Sequence, residues 1–154
     1  MISFEFCDFK NPAHQEALCF LLNHYMEDPM GDHEPLDAPQ QAKLIEGLDQ
    51  HPTAEVLFVL YDGKYAGLTT TFINYSTFNL KPYLYIHDVV VLDGFRGKGI
   101  GRALINEWKR ISKERDYCKI TLEVREDNHN ALYLYNSLGF VDCDPKMYFW
   151  TCKL

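Results

Sequence analysis

Apolar and polar positions alternate from the start of the chain, with Ile2, Phe4 and Phe6 set against Ser3 and Glu5. That is the period of a half-buried strand. Asn11-Pro12 reads as an N-cap and first helical residue, and Leu18, Leu21, Leu22 and Tyr25 mark one face of the helix it opens. Glu27 to Pro39 breaks the pattern with three prolines and a glycine, and Ala42, Ile45 and Leu48 restart it as a short helix. Val56–Tyr61 is an apolar strand, and Asp62-Gly63 is a hairpin turn signal. A β-branched, aromatic strand then runs through Ile73.

The second half adds a strand from Tyr83 to Leu92, then a glycine cluster at Gly97, Gly99 and Gly101. The cluster opens a helix whose buried face is Ile100, Leu104, Trp108 and Ile111. Lys119–Val124 reads as another strand. Asn130–Leu138 reads as a helix with Ala131, Tyr135 and Leu138 on one side, ended by Gly139. Met147–Cys152 has the composition of a terminal strand. The order β-α-α-β-β-β-α-β-α-β predicts an α/β fold, one mixed sheet with helices on both faces.

Composition narrows this picture without changing it. The 154 residues suit one domain, and 47% hydrophobic with 24% charged residues is ordinary globular usage that argues against disorder. The longest uncharged apolar run, Val56–Tyr61, is far short of the ~18 residues a membrane span needs. Met1 to Glu5 lacks the charged head and apolar centre of a secretory signal, so the cytoplasm is the expected compartment. Five cysteines without CxxC pairing read as reduced thiols. Cys7, Cys118 and Cys152 on strands and Cys19 on a helix are expected to be small core residues.

A net charge of −7 disfavours a nucleic-acid partner. The distribution is more informative. Residues 1–80 hold three Lys or Arg against twelve Asp or Glu, while residues 81–154 hold twelve against ten. The first half suits a cationic ligand and the second an anionic one. Glu27, Asp28, Asp32, Glu34 and Asp37 lie together with no basic residue among them, a candidate cation-attracting lip. His33 beside these oxygens matches no calcium-loop spacing, and no metal is expected.

Val89-Val90-Val91-Leu92-Asp93-Gly94-Phe95-Arg96-Gly97-Lys98-Gly99-Ile100-Gly101-Arg102 runs from strand through glycine turn into helix. Main-chain N–H groups at such a helix start point at an anion, and the small residues let a pyrophosphate approach. A Walker phosphate loop would need glycine at Leu92 and Ser or Thr at Gly99. A dinucleotide fingerprint would need Gly or Ala at Arg102.

Arg96-x-x-Gly99-x-Gly101 resembles the pyrophosphate motif of the GNAT superfamily of acetyl-CoA-dependent N-acetyltransferases. Asn128-x-x-Ala131-x-x-x-Tyr135-x-x-x-Gly139-Phe140 resembles that superfamily's second signature. In this order and at this distance the pair is specific. The resemblance implies a mostly antiparallel sheet in a single domain. Residues 1–80 would form its acceptor side and residues 81–154 its acetyl-CoA side. It implies that main-chain groups of the Val89-Val90-Val91 strand, Val89 and Val91 above all, pair with the pantetheine arm in a splay between the two strands. N–H groups from Arg96 through Gly97, Lys98, Gly99, Ile100 and Gly101 to Arg102 would hold the pyrophosphate. Asn128 would contact the pantetheine, and the Tyr135 hydroxyl would face the sulfur as general acid.

Acetyl transfer also needs a neutral amine, hence a base or a water chain, because an alkyl ammonium has a reference pKa of about 10.4. A main-chain N–H of Val89 or Val91 would serve the developing oxyanion. His87 and Asp88 are the base candidates. They are adjacent on a strand and so expected on opposite faces, and an ordinary imidazole, near pKa 6.5, suits the task better. Glu123 and Glu126 are further candidates. Ser76-Thr77-Phe78 is a candidate border of the acceptor pocket. The expected acceptor is the primary amine of a small, cationic, polyamine-like molecule. The alternatives are a non-catalytic CoA-binding or regulatory module, or acetylation of protein N-termini or lysines. The apolar stretch Met147–Trp150 would suit pairing into a homodimer.

Overall fold

The alternating N-terminal residues form β1 (Ile2–Phe6), and the Asn11 side chain accepts from the Ala13 N–H to start α1 (Pro12–Glu27). Asp37 and Gln40 form a reciprocal capping box at the start of α2 (Ala38–Gln50). β2 (Ala54–Tyr61) and β3 (Lys64–Ser76) are joined through Asp62 and Gly63, both at positive φ, as a tight hairpin requires. β4 (Lys81–Val91) leads through a 3₁₀ turn at Asp93–Phe95 into α3 (Ile100–Glu114). β5 (Ile120–Leu122) and α4 (His129–Ser137) follow. This computed structural model describes Met1–Leu154.

The strands lie in the order β1-β2-β3-β4-β5, antiparallel except for the β4–β5 pair. Helices cover both faces. On one, Ile100, Leu104, Ile105, Trp108 and Ile111 of α3 pack with Tyr135 of α4 against Leu57, Val59, Leu84 and Ile86. On the other, Leu18, Leu21 and Leu22 of α1 and Leu48 of α2 pack against Val56, Phe58, Leu68 and Val90. The apolar spacings read from sequence for α1 and α3 therefore mark their buried faces. Trp108 is fully buried, and its indole N–H donates to the Thr69 hydroxyl at 2.6 Å.

The expected terminal strand is absent. Residues 141–154 form no helix or strand, and Met147, Tyr148, Phe149 and Trp150 are exposed, Trp150 at 85%. Strand composition is a fit to a pleated, half-buried surface. Here no ladder partner is paired with it. Cys152 is accordingly exposed rather than a core residue, and Cys118 is only half-buried. Cys19 is buried, and burial pushes the half-buried Cys7 thiol up to about 12.

Candidate active site

β4 pairs with β5 only from Leu84–Ile120 to Ile86–Leu122. β4 then continues to Val91 while β5 ends at Leu122, which leaves a splay between them. Val89 and Val91 turn their side chains into the α3–α4 core, and Val90 turns into the α1–α2 core. Only their main chain is therefore available along the splay.

At the end of β4, Arg96 closes the 3₁₀ turn and the backbone passes through Gly97 and Gly99 at φ +75° and +76°. Side chains rarely adopt this left-handed geometry, and it directs the chain into α3 with Gly99 as N-cap. The first main-chain bond of α3 runs from Ala103 N–H to the Gly99 carbonyl at 2.9 Å. The six N–H groups from Gly97 to Arg102 have no protein acceptor. Ile100 is buried, so it offers only its N–H. This row of donors at a helix start fits a pyrophosphate.

Gly101 has a different task from Gly99. A Cβ there would meet Cδ2 of Leu134 at 3.2 Å, so its bareness serves the approach of α4.

The basic side chains of the turn are engaged by the protein itself. Arg96 reaches Asp28 at 2.7 Å, Asp93 at 3.0 Å and the Val91 carbonyl at 3.2 Å. Lys98 Nζ donates to the Gly94 carbonyl, and Arg102 donates to the Ser137 hydroxyl. Asp28 is 15% exposed, and its hydrogen bond to the Arg96 guanidinium lowers its pKa below the usual carboxylate range. The acidic loop after α1 thus gives one of its charges to the glycine turn instead of presenting all five to an acceptor.

α4 begins at Asn128, whose side-chain oxygen accepts from the Ala131 N–H at 3.2 Å. Its place in the motif is therefore at least a capping one. Tyr135, one helix turn beyond Ala131, is buried beside Phe140, and burial raises its hydroxyl pKa to about 12. Tyr133, the neighbouring tyrosine on α4, is 76% exposed.

On the opposite face the structure corrects one expectation. Thr70 pairs with Asp88 and Thr71 pairs with Ile86, so His87 is an extra residue in β4. Such a bulge interrupts the alternation. Ile86 points to the α3 side, and His87 and Asp88 both lie toward the α1–α2 side. The His87 ring is 5.9 Å from Phe72 and 5.8 Å from Tyr85. Burial raises the Asp88 pKa, opposed by the His87 charge.

Sequence reasoning left Tyr85 out. Its hydroxyl donates to Glu123 Oε1 at 2.9 Å and lies 3.2 Å from His87 Nδ1. The two-residue spacing of Tyr85 and His87 on one strand was the available signal. Beside this chain lies a cavity of about 400 Å³ lined by Asn74, Tyr83, Tyr85, Thr121, Glu123 and Phe149, among others. Ser76 is buried and Phe78 is 97% exposed, and neither lines it. Glu126 is exposed and makes no hydrogen bond to this group.

A model of the Acetyltransferase (GNAT) family matches residues 18–140. The chain belongs to that family. Streptothricin acetyltransferase of Streptomyces lavendulae is 38% identical over 94 residues, covering 60% of this chain and 48% of the relative. Thialysine N-epsilon-acetyltransferase of Caenorhabditis elegans is 23% identical over 145 residues, covering 93% and 87%. Among solved structures, a probable acetyltransferase superposes with a TM-score of 0.82 at 19% identity, over 99% of this chain and 98% of that one. The match to the streptothricin enzyme thus spans about half of that relative's length. The GNAT fold accounts for the observed element order, and GNAT enzymes use acetyl-CoA as cosubstrate. No helix is long and apolar enough to cross a membrane.

Proposed function

We propose that this GNAT chain transfers an acetyl group from acetyl-CoA to a primary amine of a small molecule. Residues 81–154 would hold acetyl-CoA, and residues 1–80 would contribute to the acceptor side of a single domain in the cytoplasm. The observation that carries this reading is the splay, flanked by Tyr135 on one sheet face and by the bulged His87–Asp88 pair on the other. Acetyl-CoA supplies the activated acetyl carbon when bound. The six free N–H groups bind its pyrophosphate, and Val89 and Val91 offer main-chain groups along the splay. His87, with Asp88 beside it, takes the proton from the attacking amine as the N–C bond forms. Tyr135, kept protonated by burial, gives its proton to the departing thiolate as the C–S bond breaks.

The acceptor class rests on the cavity. Tyr83, Tyr85 and Phe149 surround it with aromatic surface and Glu123 adds a carboxylate, a combination that favours a cationic amine. The names of the streptothricin and thialysine relatives are consistent with small-molecule acceptors. The terminal segment that suggested a homodimer is irregular in this chain, so no dimer is built into the proposal.

Thiol release from acetyl-CoA across a panel of diamines, monoamines and peptides tests the reading. Turnover should be greatest with a diamine. Binding of acetyl-CoA without turnover of any amine or peptide would make the chain a CoA-binding module, and turnover of peptides alone would make it a protein acetyltransferase. Gly99→Val separately tests the turn. Left-handed backbone costs a residue with a side chain roughly 1–2 kcal/mol, so the turn should distort and acetyl-CoA binding should weaken at least tenfold, about 1.4 kcal/mol. Unchanged binding by a folded variant would refute the pyrophosphate site.

A further inference from the structure

Tyr85 bridges two groups that could each touch the reacting amine, and the direction of its hydrogen bonds can be derived. Its hydroxyl lies 2.9 Å from Glu123 Oε1 and 3.2 Å from His87 Nδ1. A carboxylate accepts and cannot donate, and a tyrosine hydroxyl owns a single proton. That proton points at Glu123. The remaining contact, to His87, is then made only if Nδ1 carries a hydrogen and donates it to the Tyr85 oxygen. In the neutral imidazole this leaves Nε2 bare.

From this we infer that Tyr85 and Glu123 are positioning residues. Together they fix His87 in the Nδ1–H tautomer and hold Nε2 as the atom that accepts the amine proton. The inference rests on the proposed role of His87 as base and adds how that base is prepared. The logic is that of a nucleophile–base–orienter array, with the carboxylate acting through a phenol instead of directly. The fold supplies each member separately. Strand alternation puts His87 on the side on which Tyr85 lies, two residues earlier, and the bulge in β4 brings Asp88 to that side as well. The parallel pairing sets Tyr85 opposite Thr121, and Glu123, one residue past the end of β5, brings its carboxylate to the Tyr85 hydroxyl. Phe72 packs against the His87 ring at 5.9 Å, and His51 packs against Phe72 at 4.8 Å, which restricts ring rotation from the β3 side. Burial and the Glu123 bond push the Tyr85 hydroxyl up to about 12, so it keeps the proton it must donate.

Asp88 is the rival orienter, since it adjoins His87 and its charge acts on the ring. Tyr85→Phe separates the two because it removes one hydroxyl and preserves the ring. Nitrogen-15 spectra of the free protein, with the His87 signals assigned by comparison with His87→Gln, should show Nδ1 protonated and Nε2 bare in the parent. Tyr85→Phe and Glu123→Gln should each move the population toward the Nε2–H form, while Asp88→Asn should leave it in place. With acetyl-CoA and the best amine of the panel, Tyr85→Phe should lower kcat about tenfold, the loss of one orienting hydrogen bond. The KM for acetyl-CoA should not change. An unaltered tautomer in Tyr85→Phe overturns the inference whatever the rate does, and so does a shift produced by Asp88→Asn alone. Full activity in His87→Gln would instead remove His87 as the base, and the spectra would still decide whether Tyr85 and Glu123 orient its ring.

Discussion

The two faces of β4 are made from alternate residues of one strand and behave differently. Toward α3, Leu84 and Ile86 enter an apolar cluster whose one buried side-chain hydrogen bond joins Trp108 to Thr69. Toward α1 and α2, Tyr85, His87 and Asp88 form a polar aromatic row that gives way to the apolar pair Val90 and Leu68. One face spends its positions on packing and the other on groups that can hold a proton. The bulge at His87 makes the second face richer than strict alternation allows, because two consecutive residues share it. Tyr135 crosses the division. It packs in the apolar cluster and is also assigned the general-acid role.

Tyr135→Phe is the severest challenge to this contrast. It should reduce the acetyl-transfer rate about 10²–10⁴-fold, as loss of a positioned acid does, with little change in thermal stability or acetyl-CoA affinity. A stability loss with an unchanged rate would return Tyr135 wholly to the packing face.

Trp108→Ala probes the packing face itself. Removing a buried indole costs about 3–5 kcal/mol, measured by urea unfolding, and it also strands the buried Thr69 hydroxyl. Acetyl-CoA affinity of the remaining folded protein should be unaffected. A specific loss of affinity would show that the apolar cluster also shapes the cosubstrate site.

Asp88→Asn gives the smallest and most informative effect. Burial raises the folded-state pKa of Asp88 above the ordinary 3.8. Its contribution to stability is therefore fully present below that ordinary value and is lost as pH rises through the folded value. The variant should be more stable than the parent at pH 7, by about 2–4 °C in Tm for each kcal/mol recovered. The difference should shrink to nothing as pH falls below about 4. A variant less stable than the parent at pH 7 would mean that the Asp88 charge is held by hydrogen bonds that outweigh its burial.

How much of this was legible in advance depended on the range of the interaction. The α3 face formed by Ile100, Leu104, Trp108 and Ile111, the Asn11 cap and the Asp62-Gly63 hairpin are local, and each reads directly from spacing. The glycine turn and the Asn128–Phe140 signature carried the family. Period-two reasoning sets His87 and Asp88 on opposite faces, but it holds only where no residue is inserted, and the insertion is visible only against Thr70 and Thr71 of the neighbouring strand. The Asp28–Arg96 ion pair joins residues 68 positions apart, which no periodicity reports. Met147–Cys152 had strand composition, but a ladder depends on what lies alongside, and here nothing is paired with it.

The chain has two tryptophans in opposite surroundings. Trp108 is enclosed in the α3 cluster, and Trp150 stands 85% exposed in the irregular terminal segment. Their emission should therefore separate into a blue component from the enclosed indole and a red component from the hydrated one. A soluble quencher should remove the red component and leave the blue. Loss of the blue component would then time the opening of the apolar cluster, and a change confined to the red component would report that the terminal segment had found a surface to cover.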